Sequence, residues 1–138
     1  MNADLNMVLR ILVALALGGA IGFQREREGK EAGLRTHILI SVGSALFTVI
    51  SVFAFGDDPA RIASGIVAGI GFIGAGTILK REGGAVKGLT TAASIWITSA
   101  IGLAAGAELY LIAAVTTLIT LVVLIYHPHI IQHKDPGE

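Results

Sequence analysis

No cysteine occurs in the 138 residues. Its absence excludes disulfides, thiol nucleophiles and cysteine-based metal sites, and says little about compartment. Charge is also scarce: Asp, Glu, Lys and Arg make up 14% of the chain, against ~25% in an average soluble domain. Ten bases balance ten acids, so no global field points to nucleic acid, and none is expected as a partner. The acids are also missing from particular places. None lies inside a long apolar run, whereas cation pumps and carriers usually set carboxylates in the membrane, and Mg²⁺ wants them too. No Ser-His-Asp set or catalytic carboxylate pair is recognisable. An enzyme is therefore not expected, and neither is a cofactor.

What the chain does have is apolar length. Thr36 to Phe55 is an uncharged run of 20 residues, which as a helix rises about 30 Å, the thickness of a bilayer's hydrocarbon core. Similar runs occur at 5–23, 62–79, 89–107 and 109–126. Hydrophobic residues total 54%. In lipid every backbone polar group needs an internal partner, so helices rather than open strands are expected. The predicted fold is all-α: a polytopic bundle of five transmembrane helices over 1–126, followed by a short tail at 127–138. Arg10 followed by Ile11–Phe23 also imitates a cleaved signal peptide. No small-x-small cleavage site precedes a soluble domain, however, because further spans follow at once.

Basic residues are segregated by loop. Arg25, Arg27, Lys30 and Arg35 lie between spans 1 and 2, Lys80, Arg81 and Lys87 between spans 3 and 4, and Lys134 in the tail. Only Arg10 and Arg61 lie toward the other side. Positive charge accumulates on the cytoplasmic face, so both basic loops and the tail are expected inside and the N-terminus outside. Tyr110 and Tyr126 fall at opposite ends of span 5, where interfacial aromatics belong. The two basic loops also resemble each other. Arg27-Glu28-Gly29 is followed by Gly33-Leu34-Arg35-Thr36, and Arg81-Glu82-Gly83 by Gly88-Leu89-Thr90-Thr91. Ile-Gly-Phe precedes each, at 21–23 and 70–72. This suggests two helical hairpins repeated in parallel, with span 5 added; chance similarity of glycine-rich loops is the plainer alternative.

Lipid gives helices no hydrophobic reason to associate, so small residues and hydrogen bonds must hold them. Gly18 and Gly22 are candidates in span 1. In span 3 they are Gly65, Gly69, Gly71, Gly74 and Gly76. That density predicts a central, tightly enclosed span 3 and a peripheral span 5. Trp96 sits mid-span and reads as a packing residue. Gly69-Ile70-Gly71-Phe72-Ile73-Gly74 fits the dinucleotide pattern, but that pattern needs a strand before it. Here it lies within a membrane span and reads as packing, or as a permitted break in the helix.

His37, Ser41, Ser44, Thr48 and Ser51 are spaced 4, 3, 4 and 3, so they share one face of span 2; Thr91, Ser94 and Thr98 do so in span 4. They either bond one helix to another or line a polar path between the hairpins. Arg10 reads as snorkelling to the interface, or as paired with Asp4. Asp58-Pro59-Ala60-Arg61 reads as a helix start, with Asp58 near enough to pair with Arg61. Free N–H groups at Arg35-Thr36 and Thr90-Thr91, with Arg25 and Arg35 nearby, offer an anion site or simple capping. The tail holds His127, His129 and His133, but Pro128 between the first two spoils helical ligand spacing and no acid or Cys accompanies them in the membrane, so no metal site is expected.

Several blocks, in order, are familiar: Gly-Ala-Ile-Gly-Phe-Gln-Arg-Glu at 19–26, Ala-Gly-Leu-Arg-Thr-His-Ile-Leu at 32–39 and Asp-Pro-Ala-Arg-Ile-Ala at 58–63. Gly-Ile-Gly-Phe-Ile-Gly-Ala-Gly at 69–76 and Gly-Leu-Thr-Thr-Ala-Ala-Ser-Ile-Trp at 88–96 complete the set. Together they resemble the MgtC/SapB family across nearly all of 5–126. The resemblance implies a bacterial inner-membrane protein of about five spans, associated with growth at low magnesium and with virulence. Its motif residues correspond to Arg25, Glu26, Gly33, Arg35, Thr36, Asp58, Arg61, Gly71, Gly74, Gly76, Thr90, Thr91 and Trp96. Gln24 stands where the family usually has an acid, which weakens a cation role there. Longer relatives carry a cytoplasmic C-terminal domain, and regulation through it is not expected of these 138 residues. The leading expectation is a regulator docking against another membrane complex; the alternative is a transporter or channel for Mg²⁺, another small ion or a solute. A homodimer is compatible with either.

Overall fold

The computed structural model describes residues 2–55, 58–80 and 86–126. They form five helices: α1 (Ala3–Arg27), α2 (Leu34–Ala54), α3 (Pro59–Ala75), α4 (Leu89–Gly106) and α5 (Tyr110–Ile125). A two-residue ribbon, β1 (Leu79–Lys80) and β2 (Val86–Lys87), joins α3 to α4, with Leu79 opposite Lys87 and Lys80 opposite Val86. The tail, with its three histidines, lies outside the described residues, as do Arg81 and Glu82.

Each helix end has a local cause. Two connections close as a Schellman turn, in which amides beyond the helix satisfy its last carbonyls. After α1, Gly29 N–H bonds Glu26 and Lys30 N–H bonds Arg25, with Gly29 at φ 66°. After α4, Glu108 N–H bonds Ala105 and Leu109 N–H bonds Ala104. There the left-handed position belongs to Glu108, at φ 64°, although side chains resist that conformation. Asp58 caps α3 as expected, its carboxylate accepting from Arg61 N–H at 3.2 Å, with Pro59 in the first turn. Gly88, at φ 90°, has no room for a Cβ beside the Thr77 carbonyl and leads the chain into α4.

The centre is α1, α2 and α4, packed pairwise; α5 lies on α1 and α4, and α3 on α2 and α4. Four glycines make the central contacts. A Cβ on Gly18 would come within 2.9 Å of the His37 carbonyl oxygen, and one on Gly22 within 2.8 Å of Leu34 Cα. One on Gly102 would overlap the Ser41 carbonyl, and one on Gly106 would come within 2.7 Å of the Ala45 carbonyl oxygen. Close backbone approach of this kind is the usual glue between helices in lipid.

Burial runs opposite to that of a soluble protein. The interior holds His37, Ser41, Ser44, Thr48, Ser94, Thr98 and Ser99, while Leu39, Phe72, Leu111 and Val123 face outward. Such an exterior would associate in water, whereas lipid covers it without penalty. Helices α1, α2 and α4, of 25, 21 and 18 residues, are long and apolar enough to cross a bilayer. The apolar helices α3 and α5 have 17 and 16 residues, rising roughly 25 Å.

Several expectations change. Helix α3 is peripheral, not central: Gly65, Gly69 and Gly71 meet nothing within 4 Å, and Phe72 is 83% exposed. Glycines on a lipid-facing helix leave hollows rather than close contacts. Of the span 3 glycines, Gly74 faces Ala92 of α4, which an added Cβ would meet at ordinary van der Waals distance. Gly76 follows the helix, with a Cβ position 3.3 Å from the carbonyl oxygen of Ile73 in its own chain segment. Trp96 is 50% exposed on the outside of α4, so it does not pack the core. The hairpin repeat is not confirmed, since α1 lies directly on α2 through Gly18 and Gly22, while α3 meets α4 more loosely and through a ribbon. Helix α5 is peripheral, as expected, burying Ala113, Thr117, Thr120 and Leu124 on one face.

Candidate functional site

Three polar clusters and one groove are the candidates. The first lies at the basic end of the bundle, where the α1–α2 turn and the ribbon sit. Arg25, in the last turn of α1, points into the bundle and is 2% exposed. Its Nη2 donates to Thr91 Oγ1 at 2.9 Å, its Nη1 to Glu28 at 3.4 Å, and its buried Nε has no partner. Glu26 points the other way and accepts from Leu34 N–H at 2.8 Å, against Gly33. The start of α2 is thus covered by a carboxylate of the chain itself, and Arg25 faces away from it. Arg35 is exposed, Thr36 half-buried and Thr90 exposed. The expected grouping of Arg25, Arg35 and free amides around an anion is not assembled; Arg25 and Thr91 are brought together, Arg35 and Thr90 stand apart.

The second cluster is the interior of the bundle. The predicted face of α2 turns to α1 and α4 and is spent on bonds. His37 Nδ1 lies 2.9 Å from the Gly33 carbonyl, which makes that nitrogen the donor. Nε2 lies 3.2 Å from Ser94 Oγ, whose own proton goes to the Thr91 carbonyl at 2.8 Å. Ser41 donates to the Ala14 carbonyl of α1 at 2.8 Å, and Ser44 and Ser99 hydroxyls share a bond of 2.8 Å between α2 and α4. Thr48 and Thr98 bond carbonyls one turn back in their own helices, and Ser51 is buried with a partner of its own.

The third cluster was not anticipated. Arg10 neither snorkels nor pairs with Asp4. It is buried at the end opposite the basic loops, donating to Asn6 Oδ1 and the Gly106 carbonyl and forming an ion pair with Glu108. Its guanidinium also lies 4.9 Å over the Phe53 ring. The signal was faint: two opposite charges at the same face of the membrane, 98 residues apart. Gly102 and Gly106 were readable, being four apart in span 4. Asp58 and Arg61 meet through the helix cap, not through their charged groups. Among the described residues no three His, Asp or Glu side chains come together as metal donors.

The groove lies between α2 and α3, has a volume of about 680 Å³, and is lined by apolar side chains, glycines and the bonded pair Ser44–Ser99. It is not the polar-lined path that the faces of spans 2 and 4 suggested, because those faces meet each other.

The MgtC family profile matches residues 11–133. "Putative magnesium transporter YhiD" of Escherichia coli (strain K12) is 47% identical over 130 residues, covering 87% of this chain and 60% of that protein. Protein SrpB of Synechococcus elongatus is 42% identical over 134 residues, covering 87% of this chain and 74% of SrpB. Protein MgtC of Brucella abortus (strain 2308) is 50% identical over 111 residues, covering 80% of this chain and 46% of MgtC. No solved structure matches the chain. The chain thus spans less than two thirds of YhiD and of the Brucella protein. With an exterior suited to lipid and a family match over most of its length, this chain is a membrane protein and belongs to the MgtC family.

Proposed function

We propose that the chain is a membrane regulator that acts by contact with another membrane protein complex in the bacterial inner membrane, in support of growth at low magnesium. The observation that carries this reading is the closed interior. His37, Ser41, Ser44, Thr48, Ser94, Thr98 and Ser99 bond one another or the backbone, and glycines at 18, 22, 102 and 106 leave no room between helices. The recognition surface is then external. At the basic end Glu26, Arg27, Lys30, Glu31 and Arg35 are exposed in a short stretch. The positive-inside rule favours a cytoplasmic position for that end and an outer N-terminus.

The test is capture of a tagged full chain from native membranes, with growth at low magnesium as readout. A defined complex is expected with the wild type. It should be lost with Arg27→Glu/Lys30→Glu, together with rescue of a deletion strain. A double variant that rescues as well as the wild type, with no complex recovered in either case, contradicts the reading.

Carriage of magnesium or another ion is a second reading, supported by the name of the Escherichia coli relative. It needs a hydrated path. Within the described helices the acids are Asp4 and Glu26, each within a turn of a helix end.

A further inference from the structure

The groove between α2 and α3 is independent of that reading. Gly43, Gly65 and Gly69 open it, since a Cβ on any of them would meet nothing within 4 Å. Its two hydroxyls, on Ser44 and Ser99, satisfy each other at 2.8 Å, so water entering it finds little to bond. An apolar cavity of about 150 Å³ takes one benzene, so 680 Å³ takes on the order of 25 carbon atoms.

The register of the walls indicates what those carbons belong to. On α2 the lining residues Leu39, Gly43 and Phe47 are four apart, and the position before them in the same row is Arg35. On α3 Gly65, Gly69 and Ile73 are four apart, and the position before them is Arg61. The two helices run in opposite directions, so one arginine stands at each mouth. Both are exposed, and among the described residues neither guanidinium has a hydrogen bond or ion pair. The row from Arg35 to Phe47 rises about 18 Å, slightly more than one leaflet of a ~30 Å hydrocarbon core. An apolar trough with a cation at each membrane interface is complementary to phospholipid, with tails in the middle and phosphate at the edge.

We infer that this groove is a phospholipid seat: one lipid from each leaflet lays a tail along the glycine floor, its phosphate held by Arg35 at the basic end or by Arg61 at the opposite end. Native mass spectrometry tests it, on the full chain reconstituted with phosphatidylglycerol and phosphatidylethanolamine and then extracted in mild detergent. Wild type is expected to retain up to two phospholipids, with phosphatidylglycerol preferred. Arg35→Gln and Arg61→Gln should each lose one, and Arg35→Lys should restore it. Gly65→Leu/Gly69→Leu, which fills open space, should cut retention about tenfold while the melting temperature stays near wild type. A photoactivatable acyl chain should label 39–47 and 62–73 of the wild-type chain, a readout that needs no variant. Wild type without lipid, retention unchanged in the filled variant, or label only elsewhere would overturn the inference. A dimer abolished by filling the groove, with lipid unaffected, would do so as well, by showing that a second copy occupies it.

Discussion

One methyl group distinguishes two kinds of glycine in this chain. At Gly102 the place for it is taken by the Ser41 carbonyl, and at Gly65 it is empty. Gly102→Ala must force α4 away from α2 and should cost about 1–3 kcal/mol. Gly65→Ala should be neutral or stabilise by up to about 1 kcal/mol, because alanine restricts the unfolded chain more. Thermal melts in one detergent compare the two, and equal losses would contradict the packing described. Glu108 is a second residue with two opposed roles. It holds the buried Arg10, yet occupies a left-handed position that favours glycine. The carboxylate is 44% exposed, so its loss should cost less than the 3–5 kcal/mol typical of a fully buried pair, nearer 1–2. Glu108→Ala loses the pair and keeps the strain; Glu108→Gly loses the pair and relieves the strain. The alanine variant should therefore melt lower, by roughly 1 kcal/mol. The reverse order would mean that the turn is not strained.

Among the helices, attachment differs. Helices α1, α2 and α4 touch one another through glycine contacts and interhelical hydrogen bonds, while α3 rests on two neighbours with most of its surface bare. Local opening follows the number of buried contacts. In detergent, amides of α3 should exchange well before those of α2 and α4, as hydrogen-exchange mass spectrometry would show; protection of α3 equal to that of α2 would contradict its peripheral place. Much of this arrangement was legible in the residues. Span length located the helices, and the 4-3-4-3 spacing from His37 to Ser51 identified the face of α2 that turns inward. Asp58-Pro59 identified the start of α3. The position of α3 was not legible. Glycine density records that side chains are absent, not whether a neighbour or a hollow fills the space, so Gly18 and Gly65 look alike in sequence. The pairing of Arg10 with Glu108 was hidden for a different reason: it depends on a turn in which glutamate takes a backbone position that glycine usually holds.

In the whole molecule, polar groups face polar groups and apolar side chains face lipid. The clusters at Arg25 and Arg10 pin the two ends of the bundle, and hydrogen bonds between α1, α2 and α4 fill the length between them. Among the described residues the polar faces of α2 and α4 meet each other and do not line a passage, which is the arrangement the proposed contact role needs. The most direct measurement is Mg²⁺ flux into sealed proteoliposomes containing the purified chain, followed with an entrapped indicator. The account predicts flux equal to that of protein-free vesicles, for the wild type and for Ser44→Leu alike. Flux above that background, abolished by Ser44→Leu, would contradict it.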